Sequence, residues 1–108
     1  MYTNCDEIFK ITIPAVRIAV AKSLNKKYKM NQSDIAKQLG TTQAAISKYF
    51  RGDYSDKIAK VEKMVEKEKA LRDIIAMVAS KKNRKSVAQS IDGLASSGYL
   101  VKATLKII

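Results

Sequence analysis

The chain has 108 residues, of which 46% are apolar, and its 21 Lys/Arg stand against 10 Asp/Glu for a formal net charge of +11. That length holds one small domain with an appended element, and the apolar share is too high for a disordered chain. One cysteine and no histidine exclude an intrachain disulfide, a Cys/His metal site and imidazole acid–base chemistry.

Only Ser/Lys or carboxylate nucleophiles remain, and no motif supports them, so the expectation is no enzyme, no cofactor and no metal. No stretch approaches the roughly 18 unbroken apolar residues of a membrane span. The most apolar window, Ile8 to Leu24, is interrupted by Lys10, Pro14, Arg17 and Lys22. The start, MYTNCDE, lacks the basic region of a secretion signal, and a cytoplasmic protein is expected. The positive charge is spread over both halves and favours a polyanionic partner, most simply nucleic acid, through release of condensed counterions. A Lys-rich solvated surface is the plainer alternative.

In chain order, Met1 to Ile11 reads as a loose arm, and the alternation in Ile8 to Ile13 admits a short edge strand. Pro14 suits the first turn of a helix capped by Thr12 or Ile13 and running from Ala15 to Lys27. Its apolar face holds Val16, Ile18, Ala19, Val20 and Leu24. Asn31 is a good N-cap, with Asp34 three residues on, for a helix from Gln32 to Leu39 that buries Ile35, Ala36 and Leu39. Gly40 ends it in the left-handed conformation. Thr41 or Thr42 caps the next helix, which runs to about Phe50, buries Ala45, Ile46 and Tyr49, and closes at Gly52.

Asp53 or Ser55 starts a predicted long helix over Lys57 to Lys81, with Ile58, Val61, Val65, Leu71, Ile74, Ile75 and Val78 at helical spacing. Glu68 interrupts this stripe and is placed to pair with Arg72 across one turn. The basic run Lys81 to Lys85 breaks the chain before a helix from Ser86 to about Ser96 that presents Val87, Ile91 and Leu94 and ends at Gly98. Val101, Ala103, Leu105 and Ile107 then alternate with Lys102, Thr104 and Lys106, the pattern of a half-buried strand. The fold expected is thus mainly all-α, with one short C-terminal strand admitted.

The stretch from Gln32 to Gly52, QSDIAKQLGTTQAAISKYFRG, meets the needs of two helices crossing at a steep angle. Small Ala36 fits the closest approach, Gly40 supplies φ > 0 in the turn, and Ile46 plugs the angle between the rods. Gln43, Ser47, Lys48 and Arg51 fall on one side of the second helix, which a pair used only for packing would not need. Thr41 departs from the aliphatic residue more usual in such turns.

The segment resembles the helix-turn-helix of the lambda repressor and Cro (XRE-like) class. That resemblance implies that Gln32 bonds a backbone phosphate and braces Gln43, whose amide reads an adenine edge. It also implies that Ala44, Ser47 and Lys48 face the major groove, Ala44 against a thymine methyl and Lys48 toward a guanine or a phosphate. Thr42 belongs to the same surface. Arg51 and Lys57 are placed to clamp phosphates, and Asn31 and Gln32 offer free N–H groups at a helix start.

The wider pattern IPAVRIAVAKSL followed by NQSDIAKQLGTTQAAISKYFRG resembles a group of short archaeal predicted transcriptional regulators over residues 8–54. SIDGLASSGYLVK is similar to that group's C-terminal segment, which carries cysteines that this chain lacks. The expected protein is a homodimeric double-stranded-DNA-binding regulator, a repressor. Residues 1–54 form its DNA-binding head and residues 55–108 a helical dimerisation segment. An antitoxin-type interaction module and a weakly specific architectural DNA binder remain as alternatives.

Overall fold

The computed structural model describes residues 5–80 and 84–107, which form seven helices. These are α1 (Cys5–Tyr28), α2 (Gln32–Leu39), α3 (Gln43–Arg51), α4 (Asp56–Val65), α5 (Lys69–Ala79), α6 (Arg84–Ala95) and α7 (Gly98–Ile107). The fold is all-α and lambda-repressor-like, with no strand among the described residues. None of the described helices is long and apolar enough to cross a membrane.

α1 is the spine on which the rest is assembled; it touches every other helix and packs most extensively on α4. Ile18, Ala19, Val20, Ala21 and Leu24 are all buried, and consecutive buried positions mean that the helix is enclosed on all sides over this half. Residues from all seven helices join one apolar cluster, with Val61 and Val65 of α4, Leu71, Ile74, Ile75 and Val78 of α5, Val87, Ile91 and Leu94 of α6, and Leu100 of α7.

Three sequence expectations are corrected. The first is the loose arm and edge strand. α1 already begins at Cys5 and runs through Pro14, so the helix predicted from Ala15 is only its later part. Ile8, Thr12, Ala15, Val16 and Ala19 recur at helical spacing and are all buried, which outweighs the local strand-like alternation. Pro14 removes one helical hydrogen bond, a loss of about 3 kcal/mol in an isolated helix, on a side where Lys10 is exposed and Pro14 only half-buried. Residues 1–4 of the predicted arm lie outside the described residues.

The second is the single long helix, which is two. α4 ends at Val65, Glu66 to Glu68 form a turn, and α5 starts at Lys69. The apolar positions explain the break: at 3.6 residues per turn, Leu71, Ile74, Ile75 and Val78 lie roughly 120° around the axis from Ile58, Val61 and Val65. A straight rod would present one set to solvent. Glu68 stands at the N-cap of α5 without a side-chain cap bond, and no ion pair joins it to Arg72 among the described residues. Of the basic break that follows, residues 81–83 lie outside the described residues.

The third is the C-terminal strand, which is helix α7, with Gly98 opening it rather than closing α6. Leu100 and Thr104, one turn apart, are both fully buried, and that pairing decides against the two-residue alternation. A helix satisfies its own backbone groups, whereas a lone strand needs a neighbour.

Candidate nucleic-acid interface

The α2–turn–α3 unit forms as its residues dictate. The Asn31 side chain accepts a hydrogen bond from the Asp34 N–H at 2.8 Å, capping α2. Gly40, at φ 67°, ends it: the Gly40 N–H donates to the Lys37 carbonyl and the Thr41 N–H to the Ala36 carbonyl. This is the paired hydrogen-bond pattern of a left-handed helix stop. Thr42 Oγ1 accepts from the Ala45 N–H at 3.1 Å to start α3. Gly52, at φ 73°, repeats the same stop, with the Asp53 N–H donating to the Lys48 carbonyl.

Ile35, Ala36 and Leu39 are buried beneath α2, and Ile46 is wholly buried beneath α3. Ala45, expected inside, is half-buried, as are Tyr49 and Phe50, which pack on the core from its edge.

The outward side of α3 carries Gln43, Ala44, Ser47, Lys48 and Arg51, which span about 140° of the helix circumference at 3.6 residues per turn. Gln43, Ala44, Lys48 and Arg51 are exposed and Ser47 is half-buried. Arg51 Nη1 donates to Ser47 Oγ at 3.0 Å and lies 3.9 Å from Asp53, a loose and solvent-exposed pair. Thr42 and Asn31 are exposed at the two helix starts, Gln32 is half-buried in the first turn of α2, and Lys57 is exposed in the first turn of α4. The structure therefore brings Thr42, Gln43, Ala44, Ser47, Lys48 and Arg51 onto one helix, while Asn31, Gln32 and Lys57 stand at the starts of its neighbours. No hydrogen bond joins the Gln32 and Gln43 amides among the described residues, so the brace implied by the resemblance is not preformed.

Residues 22–67 match the family model described as Helix-turn-helix. This part of the chain is a helix-turn-helix. The match takes in the last turns of α1, all of α2, α3 and α4, and less than half of the chain. No curated protein and no solved structure matches the chain.

Within the matched helix-turn-helix lies a polar cluster that composition and periodicity did not flag. Glu62 of α4 is only 4% exposed, yet its carboxylate is fully engaged. The Tyr54 hydroxyl donates to Glu62 Oε1 at 2.6 Å, and Lys22 Nζ of α1 lies 3.0 Å from Glu62 Oε2 and donates to the Tyr54 hydroxyl at 2.8 Å. The same ammonium sits 5.4 Å from the centre of the Tyr54 ring.

Burial draws the Lys22 ammonium down from its ordinary value, but its hydrogen bonds to Tyr54 and Glu62, aided by the Glu62 charge, outweigh this and leave it raised. Burial, then the hydrogen bond to Glu62, also raises the Tyr54 phenol against the opposing pull of Lys22. The available signal was Glu62 itself, a carboxylate one turn after Ile58 and between Val61 and Val65 in an inward-facing stripe.

Proposed function

We propose that this protein is a sequence-specific double-stranded-DNA-binding transcriptional regulator, a repressor, that acts as a homodimer. The observation that carries the reading is the outward face of α3. It displays an amide, a methyl, a hydroxyl and two cations, while Ile46 anchors the opposite side in the core. This is the donor, acceptor and apolar mixture that major-groove edges present in complement.

In this reading Gln43 pairs with an adenine edge, Ala44 meets a thymine methyl, and Ser47 and Lys48 reach the groove floor or its rim. Asn31, Gln32, Thr42, Arg51 and Lys57 hold phosphates on either side, helped by the N–H groups at the starts of α2 and α4. Residues 1–54 do the reading and residues 55–108 join the copies. This is a division of tasks, since both parts share one core. Two copies are needed because one recognition helix contacts too few base pairs for useful specificity; a dimer places two about one DNA turn apart. Leu105 of α7, 42% exposed, supports an outward apolar role for the C-terminal half.

Selection of bound duplexes from a random pool tests the reading. A recovered motif with two related half-sites is the expected result. Even binding across the pool identifies an architectural DNA binder instead, and no binding removes the proposal.

A further inference from the structure

We infer that Tyr54, Lys22 and Glu62 form a clasp that sets the angle at which α3 meets its target, with Tyr54 as the positioning residue. The inference rests on the DNA-binding reading above for its consequence, though not for its geometry.

The two ends of α3 are held differently. Its inward side packs chiefly on α2 and α1, and its start is tied to α2 through the three-residue turn Gly40 to Thr42. Its exit is different. Gly52 stops the helix, and the chain then runs through Asp53, Tyr54 and Ser55 before α4 begins. Asp53 and Ser55 are exposed, so Tyr54 is the half-buried side chain of this connection.

Tyr54 stands three residues after the last residue of α3, and its hydroxyl is gripped from two separate helices, by Lys22 of α1 and Glu62 of α4. The backbone is tied as well: the Tyr54 N–H donates to the Gly52 carbonyl at 3.0 Å, and the Asp53 N–H to Lys48 at 3.0 Å. Displacing the exit of α3 therefore means breaking a charge-assisted network whose carboxylate is buried. A carboxylate left without partners in such a place is strongly disfavoured. The cluster thus resists rotation of α3 at the end farthest from the Gly40 turn. Arg51 is the outermost base-facing or phosphate-facing residue there, and Lys57 lies three residues beyond Tyr54.

The test uses the full chain and Tyr54→Phe, which deletes the hydroxyl and leaves Lys22 and Glu62 able to pair directly. Two measurements are made. Residual dipolar couplings on free protein read the orientation of α3 relative to α1. Titrations with the selected duplex and a scrambled duplex read its consequence.

A changed α3 orientation is expected, with affinity for the selected duplex falling roughly tenfold, the scale of one lost base contact, and scrambled-duplex affinity unchanged. The loss should shrink in a Gln43→Ala background, because a misaligned helix cannot lose a contact already removed. Unchanged couplings overturn the clasp whether or not the protein binds DNA. Equal weakening on both duplexes also overturns it, since the hydroxyl would then be a phosphate contact. If Tyr54→Phe proves unstable, Lys22→Met, which removes the ammonium that holds the hydroxyl from α1, is measured the same way with the same expected and overturning results. If wild-type chain binds no duplex at all, the functional reading fails while the couplings still decide the clasp.

Discussion

Gln43 is the residue whose chemistry carries most of the specificity argument, since a carboxamide can donate to and accept from one adenine edge at once. Gln43→Ala is expected to cost roughly 1–3 kcal/mol on a selected site and to relax preference at a single base position. Lys57→Ala is expected to weaken selected and unrelated duplexes alike, which quantitative footprinting on both will distinguish. Lys22 and Tyr54 make a separate prediction. Both are raised in the folded protein. A raised group contributes stability that is whole below its unfolded value, about 10 for Tyr and 10.4 for Lys, and that disappears as pH climbs through the folded value. Thermal melts should therefore show the full contribution of this pair, unchanged with pH, between pH 7 and 9 and a decline above about pH 10. That decline should be shallower in Tyr54→Phe.

Local side-chain caps start α2, α3 and α4, glycines end α2 and α3, and the end of α1 breaks the usual preference. Lys29, after α1, sits at φ 57°, the left-handed region that Gly40 and Gly52 occupy after α2 and α3. The Lys29 N–H donates to the Asn25 carbonyl and the Met30 N–H to Leu24, each one residue further back than the corresponding bonds at Gly40 and Gly52, so this stop is a wider one with a side chain added. Lys29→Gly is expected to stabilise the protein by about 1 kcal/mol, because that backbone region costs L-residues roughly 1–2 kcal/mol. Gly40→Ala should destabilise it by a similar amount. Nothing lies within 4 Å of a Cβ built on Gly40, so the penalty there is backbone strain and not a clash. Urea unfolding of the two variants, read at equal slope, measures both effects. The cap at Asn31 was legible in the sequence, and those at Thr42 and Ser55 each as one of two candidates, for the same local reason: each is a short oxygen-bearing side chain three residues before the N–H it satisfies.

For the whole molecule, the charge of +11 is expected to make duplex binding strongly salt-dependent. If a dimer contacts about 6–10 phosphates, affinity should fall roughly 10³–10⁵-fold between 50 and 200 mM salt. A log–log slope near zero would show that phosphates are not the main contacts. Sedimentation of the free chain near micromolar concentration is expected to give a dimer mass. Because the apolar cluster draws on all seven helices, removing residues 69–108 should unfold the remainder. Loss of helical circular dichroism at 222 nm reports that, and a truncated chain that keeps its helicity would contradict it.

The segment from Asn31 to Gly52 was readable residue by residue because caps, left-handed glycines and three-to-four-residue spacing all act within one or two turns. So was the helical class of the chain, whereas the slip in apolar phase between Val65 and Leu71, although present in the spacing, falls inside what the sequence predicts as one continuous helix. The helix through Pro14, the helical state of Val101 to Ile107 and the engagement of Glu62 were decided elsewhere. Each depends on what a distant helix covers: α1's first half is held by its buried stripe, Leu100 and Thr104 are sealed by neighbours, and Glu62 meets partners 40 and 8 residues away along the chain. Local propensity is settled by adjacent atoms, whereas burial is settled by the assembled core, and the tertiary structure decides which of the two prevails.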